Sequence, residues 1–161
     1  PAPFRVIDTH AGVGLYDLTG REAGKTGEWE NGIGRIITHT FQNEVARILA
    51  PYLDIVRAEN PPDTLTLYPG SPVIARRLLR DQDILAVNEL HAEDHAELAR
   101  YFARDPQTKV LRLDGWTALK SLLPPKERRG VILVDPPFEE TGELDRLISG
   151  LKDAQRRFAT G

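Results

Sequence analysis

Val131-Ile132-Leu133-Val134-Asp135-Pro136-Pro137-Phe138 decides how this chain is read. Four apolar, β-prone residues in a row predict a strand buried on both faces, as in a parallel sheet. An acid closes the run, and two consecutive prolines stop both strand and helix from continuing. The same design recurs upstream. Phe4-Arg5-Val6-Ile7-Asp8 predicts a first buried strand, 84–90 a second with Glu89 near its end, and 109–113 a third followed by Asp114-Gly115. The periodicity predicts helices between them. One covers 36–57, with Phe41, Val45, Ile48, Leu49, Tyr52, Leu53 and Val56 on one face. Others cover 72–80 (Ser71 as N-cap, Pro72 as first helical residue), 93–104, 116–122 and 143–158. Residues 15–34 read as an irregular loop, and Asn60-Pro61-Pro62-Asp63 as a break before an extended piece at 64–67. Strands alternating with helices predict an α/β fold, a doubly wound, mostly parallel sheet. Residues 1–161 then make a single domain, with 15–70 as a helical insertion after the first strand.

Composition narrows the classes. Hydrophobic residues at 40% and charged residues at 28% suit a soluble globular domain with a real core. The absence of cysteine excludes disulfides, thiolate metal sites and cysteine nucleophiles. No apolar run approaches the ~20 residues of a membrane span. The first ten residues hold Asp8 and no apolar core of a signal peptide, so a cytoplasmic location is expected. A net charge of −3 gives no global basic excess for nucleic acid. The local clusters Arg76/Arg77/Arg80, Lys126/Arg128/Arg129 and Arg156/Arg157 read as solvated faces or loops. The chain has no methionine and opens directly into a strand, so sequence missing on both sides is expected.

In a doubly wound sheet, ligands bind beyond the carboxyl ends of the strands. Here those ends present Asp8 with Thr9-His10-Ala11-Gly12-Val13-Gly14, then Glu89, then Asp114-Gly115, then Asp135-Pro136-Pro137-Phe138. Each has an ordinary explanation: glycines permit turns, Glu89 is a solvated strand-end acid, Asp-Gly is a common turn dipeptide. Together they suit a nucleoside cofactor. A glycine turn lets backbone approach the ligand, a carboxylate after the second strand accepts from ribose hydroxyls, and Asp114 accepts from an adenine amino group. NAD and S-adenosylmethionine fit this set equally. Two details favour the latter: position 17 is Asp where a dinucleotide fingerprint has its third glycine, and Glu89 lies far beyond the ~20 residues of that fingerprint.

Asp135-Pro136-Pro137-Phe138 suits chemistry on an exocyclic amine. Such an amine is a poor nucleophile because its lone pair is delocalised into the ring. A carboxylate (Asp135) and a rigidly held carbonyl (Pro136) accepting its two N–H bonds favour pyramidal nitrogen and stabilise the charge that develops on methylation. Phe138 offers a face for stacking the base. The competing explanation is a plain Pro-Pro turn.

On these residues the chain resembles the class I amino-methyltransferases with a (D/N)-P-P-(Y/F) motif, the Asp form being similar to the adenine-N6 branch. More narrowly, several blocks in order look like the bacterial 23S ribosomal RNA adenine-N6 methyltransferase family. These are Asp8–Gly14, Thr26-Gly27-Glu28, Tyr68-Pro69-Gly70-Ser71-Pro72, Asn88-Glu89-Leu90-His91, Asp114-Gly115, Arg129-Gly130, Asp135–Phe138 and Arg157-Phe158-Ala159-Thr160-Gly161. The resemblance implies a Rossmann-like class I methyltransferase, incomplete at both ends. It implies S-adenosyl-L-methionine contacted by His10, Gly12, Ser71, Glu89, Asp114, Gly115 and Asp135, and catalysis by Asp135 with Pro136 and Phe138. It also implies 23S ribosomal RNA as substrate, no metal, no membrane and no obligate protein partner. The family's segment before the first strand and its last strands are absent here, and Phe138 stands where Tyr is frequent; either ring stacks.

Ordinary readings remain for several of these residues. His91 and His95 have metal-ligand spacing but no third ligand. His39 reads as surface, Trp116 as core, Ser71 as a cap and His10 as a turn residue. Alternative functions are a DNA adenine-N6 methyltransferase and a non-catalytic nucleotide- or RNA-binding module.

Overall fold

Continuous burial along the short central runs Val6–Asp8 and Leu85–Asn88 builds the sheet. The structure, a computed structural model, describes residues 2–20, 27–138 and 141–159. It divides into two compact units, Pro1–Gly14 with Leu79–Gly161, and Leu15–Leu78.

The first unit holds four parallel strands: β1 (Arg5–Asp8), β4 (Ile84–Asn88), β5 (Thr108–Leu111) and β6 (Gly130–Leu133). Their order across the sheet is β5-β4-β1-β6. Asp8 pairs with Val87 on one side and Leu133 on the other, and Val87 with Val110, so the four carboxyl ends lie level. The chain winds outward from β1 to β5 and then returns to the far side of β1. That reversal between β1 and β6 is the switch point where such sheets open a crevice. Three helices connect or follow these strands: α5 (Ala92–Tyr101), α6 (Gly115–Leu122) and α7 (Glu143–Arg157). Leu119 of α6 and Leu123 just after it, with Ala154 and Phe158 at the end of α7, close over Ile7 and Ala86 as one core cluster. Right-handed crossover places α5 on the opposite face, where Leu98 and Phe102 are buried. The α/β expectation holds: a parallel sheet flanked by helices.

The amino ends of the strands are fixed by charge. Arg80 grips Asp83 through Nε and a terminal nitrogen, both at 2.8 Å, and the Phe4 N–H donates to the same carboxylate at 3.0 Å. The Arg80 guanidinium holds the Asp83 carboxyl well down, to about 2. Gly130 follows from close approach, because a Cβ there would fall on the Arg5 carbonyl oxygen.

The second unit contains β2 (Leu15–Asp17), α1 (Glu28–Asn31), α2 (Ile33–Thr38), α3 (Asn43–Ala58), β3 (Leu67–Pro69) and α4 (Ser71–Leu78), with β2 and β3 antiparallel. The sequence reading fails in two places here. Residues 15–34 are not all irregular: β2 is too short for a periodic signal, and its partner lies far along the chain. The expected helix at 36–57 is two helices. Phe41 sits between them, edge-on to His39 at 4.6 Å, while Val45 and Ile48 are exposed. Part of the supposed apolar stripe was therefore surface. The core is Ile33, Leu53 and Val56, with Trp29, Leu49, Tyr52 and Tyr68 packed on it. Asn60 organises the exit from α3. Its amide donates to the Val56 and Leu67 carbonyls, and its oxygen accepts from the Thr66 and Leu67 N–H groups, each at 2.8 Å.

Candidate functional site

Beyond the level row of strand ends, pairing continues for a residue or two. The Thr9 N–H donates to Leu133 O at 3.1 Å, Ala11 N–H to Asn88 O at 3.0 Å, and Glu89 N–H to Leu111 O at 3.1 Å. Asn88 knots three of the segments together. Its side-chain amide donates to Thr9 O at 3.0 Å and Leu113 O at 2.9 Å, and its oxygen accepts from Leu113 N–H at 2.9 Å. Fully buried, it replaces the backbone partners that these segments lose as they leave the sheet.

Thr9 anchors His10. The Thr9 hydroxyl donates its one proton to Leu133 O at 3.1 Å and lies 2.9 Å from His10 Nδ1. The hydroxyl thus ties the His10 ring to the end of β6. The ring packs edge-on to Trp116, centroids 5.7 Å apart. It also lies against Gly115, where an added Cβ would fall within 2.6 Å of His10 Cε1. Gly115 is thus required by close approach rather than by an unusual φ.

Glu89 is held by two backbone donors from different segments. The Gly12 N–H donates to Oε2 at 2.9 Å and the His91 N–H to Oε1 at 2.8 Å. Gly12 at φ 64° and Gly14 at φ 86° make this turn, in a conformation that glycine adopts without strain. Each carboxylate oxygen keeps an unused lone pair in a fixed position, the arrangement that a vicinal diol donates to. Asp114 caps α6, with Oδ2 accepting from the Thr117 N–H at 2.8 Å and hydroxyl at 2.9 Å. Its Oδ1 has no hydrogen bond within the described residues. The donor set therefore fits a nucleoside: acceptors over glycine-lined backbone at consecutive strand ends.

Asp135 lies two residues past β6 rather than at its last position, and it is exposed. Its carboxylate makes no hydrogen bond or ion pair within the described residues. Pro136 is buried, anchoring the turn, while Pro137 is exposed. Phe138 adopts φ 55°, which costs a bulky residue ~1–3 kcal/mol, and it stands 54% exposed. The ring is thus exposed on a turn that follows the strand at the switch point.

The structure thus brings His10, Gly12, Glu89, Asp114 and Gly115 into direct or shared contact, with Asp135 leaving the neighbouring strand. Ser71 is the first residue of α4 in the other compact unit. Sequence reasoning missed Thr9 and Asn88 as parts of the site. The available signal for Asn88 was an amide closing the apolar run Ile84-Leu85-Ala86-Val87. Trp116 is half-buried against the core, close to its expected role, but it also touches His10. Among the described residues no group of three or more His, Asp or Glu could hold a metal ion. No helix among them is long and apolar enough to cross a membrane.

Comparison with known proteins adds a second line. The family model described as "Ribosomal RNA large subunit methyltransferase D, RlmJ" matches residues 1–161. The chain is 43% identical over 159 residues to the Ribosomal RNA large subunit methyltransferase J of Escherichia coli K12, covering 99% of this chain and 56% of that protein. The protein of the same name from Haemophilus influenzae is 40% identical, with 98% and 56% covered. A crystal structure of a Legionella pneumophila protein superposes with TM-score 0.87 at 32% identity, covering 99% of this chain and 58% of that one. The chain thus spans little more than half the length of these relatives.

Proposed function

The chain belongs to the ribosomal RNA large subunit methyltransferase family whose model matches it over residues 1–161, and from that membership we propose that it carries the cofactor crevice and methyl-transfer motif of an S-adenosylmethionine-dependent enzyme. Its substrate is the exocyclic N6 amine of an adenine in 23S ribosomal RNA. The observation that supports this reading best is the Glu89 carboxylate, fixed by the Gly12 and His91 N–H groups at the carboxyl end of a sheet whose other strands lead to His10, Asp114 and Asp135.

S-adenosylmethionine, when bound, supplies an electrophilic methyl group on a sulfonium. The free lone pairs of Glu89 accept from ribose hydroxyls, and Asp114 Oδ1 accepts from the adenine amino group. The Thr9–His10 bond fixes the ring that walls this end of the crevice. Asp135 and the Pro136 carbonyl accept the two N–H bonds of the target amine, drawing its lone pair out of conjugation. Phe138 stacks on the target base, which must leave its own stack to be reached. Asp135 stabilises the positive charge that develops on nitrogen, a type of contribution that removal tests put at 10²–10³-fold or more.

Asp135→Ala should abolish transfer to unmethylated 23S ribosomal RNA while calorimetric titration still shows S-adenosylmethionine binding and none of NAD. Wild-type turnover by that variant would refute the mechanism. Methylation of duplex DNA in preference to RNA would refute the substrate class.

A further inference from the structure

The basic pair Arg156/Arg157, read from sequence as a solvated helix face, lies in a cleft of about 620 Å³ between α6 and α7. The cleft is walled by Lys120 of α6 and by Arg146, Lys152, Arg156 and Arg157 of α7, with Trp116 on its floor. Asp153 is the one acid lining it, and that acid is already engaged by Arg157 at 3.1 Å. Lys120, Lys152 and Arg156 are exposed and make no ion pair within the described residues. A chain with net charge −3 therefore gathers three unneutralised cations at one cleft. Such a concentration raises the local potential well above that of an ordinary mixed surface.

We infer that this cleft is a track for the sugar-phosphate backbone of the substrate RNA, an inference that rests on the reading of the chain as an RNA methyltransferase. Spacing supports it: Lys152 and Arg156 lie one turn apart on α7, about 6 Å at ~1.5 Å per residue, and Lys120 of α6 lines the same cleft. Position supports it too. Helix α6 begins four residues past the carboxyl end of β5, and Trp116 on its first turn both lines the cleft and touches His10 of the crevice. The cleft thus runs away from the proposed catalytic end, where RNA flanking a target adenine must pass. Gly150 keeps α7 close to that floor, since a Cβ there would lie 2.9 Å from the Trp116 ring. Contacts of this kind position a nucleic acid without reading its sequence.

The test is the triple variant Lys120→Ala/Lys152→Ala/Arg156→Ala, none of which belongs to the proposed catalytic machinery. Binding to transcribed, unmodified 23S ribosomal RNA should weaken on the order of tenfold or more near physiological salt, and the slope of log K against log salt should fall by about 2, at ~0.7 per lost phosphate contact. The KM for RNA should rise in parallel, with kcat at saturating RNA within about twofold and S-adenosylmethionine affinity unchanged. The charge-keeping variant Lys120→Arg/Lys152→Arg should bind as wild type, and so should Arg100→Ala/Arg104→Ala, which removes charge elsewhere. Wild-type affinity and slope in the triple variant would overturn the inference. So would cation-dependent capture of poly-L-glutamate without RNA, which would make the occupant an acidic protein. A protein that binds RNA through these cations but transfers no methyl group removes the methyltransferase reading and leaves the track. An active enzyme whose RNA affinity ignores them removes the track alone.

Discussion

Gly115→Ala tests whether the crevice depends on the close approach of His10 to the first turn of α6. Placing a methyl group on Gly115 has two opposed effects. Alanine in place of glycine favours helix by at most ~1 kcal/mol. Against that, the new Cβ would lie within 2.6 Å of His10 Cε1 and 3.0 Å of Cδ2, contacts that real Cβ atoms do not tolerate. Either the ring swings away, losing the 2.9 Å bond to Thr9 and the Trp116 edge contact, or the first turn of α6 shifts. Overpacking of this kind costs ~1–3 kcal/mol and the lost hydrogen bond about another 1 kcal/mol. The clash wins, leaving a net loss of ~1–3 kcal/mol, a fall in Tm of about 2–12 °C at this chain length. Cofactor affinity should fall about tenfold, since the wall and the Asp114 cap move together. The decisive measurement is the double-mutant cycle with His10→Ala, read by thermal unfolding. With the ring gone, Gly115→Ala should be neutral or slightly stabilising, so that the two sites couple by about 2 kcal/mol. Equal destabilisation by Gly115→Ala in both backgrounds would refute the reasoning.

Asn88→Ala should destabilise the chain by ~2–4 kcal/mol in urea unfolding, because it leaves backbone groups of Thr9 and Leu113 buried without partners. A change below about 0.5 kcal/mol would mean that the knot at the strand ends is not structural. Asp83 carries a pH prediction. Its carboxyl is held at about 2, below its ordinary 3.8, first by the Arg80 hydrogen bonds. The lowered value means that its contribution is complete above about pH 4 and is lost as pH falls toward 2. The stability gap between wild type and Asp83→Asn should therefore be flat from pH 5 to 8 and close below pH 4; a gap that widens on acidification would contradict the assignment.

What the sequence disclosed and what it hid divide along a physical line. An apolar run announces a strand, so 131–133 and 84–88 were readable, but only the second is buried on both faces: β6 lies at the edge of the sheet and its Val131 is 46% exposed. The acids at the strand ends were readable too, since Glu89, Asp114 and Asp135 each follow such a run. The second unit was harder. Its strand Leu15–Asp17 is three residues long and its partner Leu67–Pro69 is distant, so neither carries a period. A helical spacing carried through Phe41 hid the break at 39–42, because a break in backbone leaves the count of apolar residues unchanged.

The least legible residues are the ones that hold the others in place. Glu89 is useful to a ligand only because both of its oxygens are already oriented, by the N–H of Gly12 and of His91. Gly12 in turn belongs to the segment that Asn88 ties, through Thr9 O, to the segment that ends in Asp114. An acid that reads from sequence as a binding group is therefore held by contacts that no spacing rule marks. They involve backbone atoms, and backbone atoms are the same in every sequence. Asn60 does the same work in the second unit, bonding four backbone groups across the end of α3 and the start of β3. Both asparagines read from sequence as turn or strand-end residues. Their shared chemistry explains the choice: an amide offers two donors and an acceptor together without charge, so it can substitute for several ladder bonds at once where segments part.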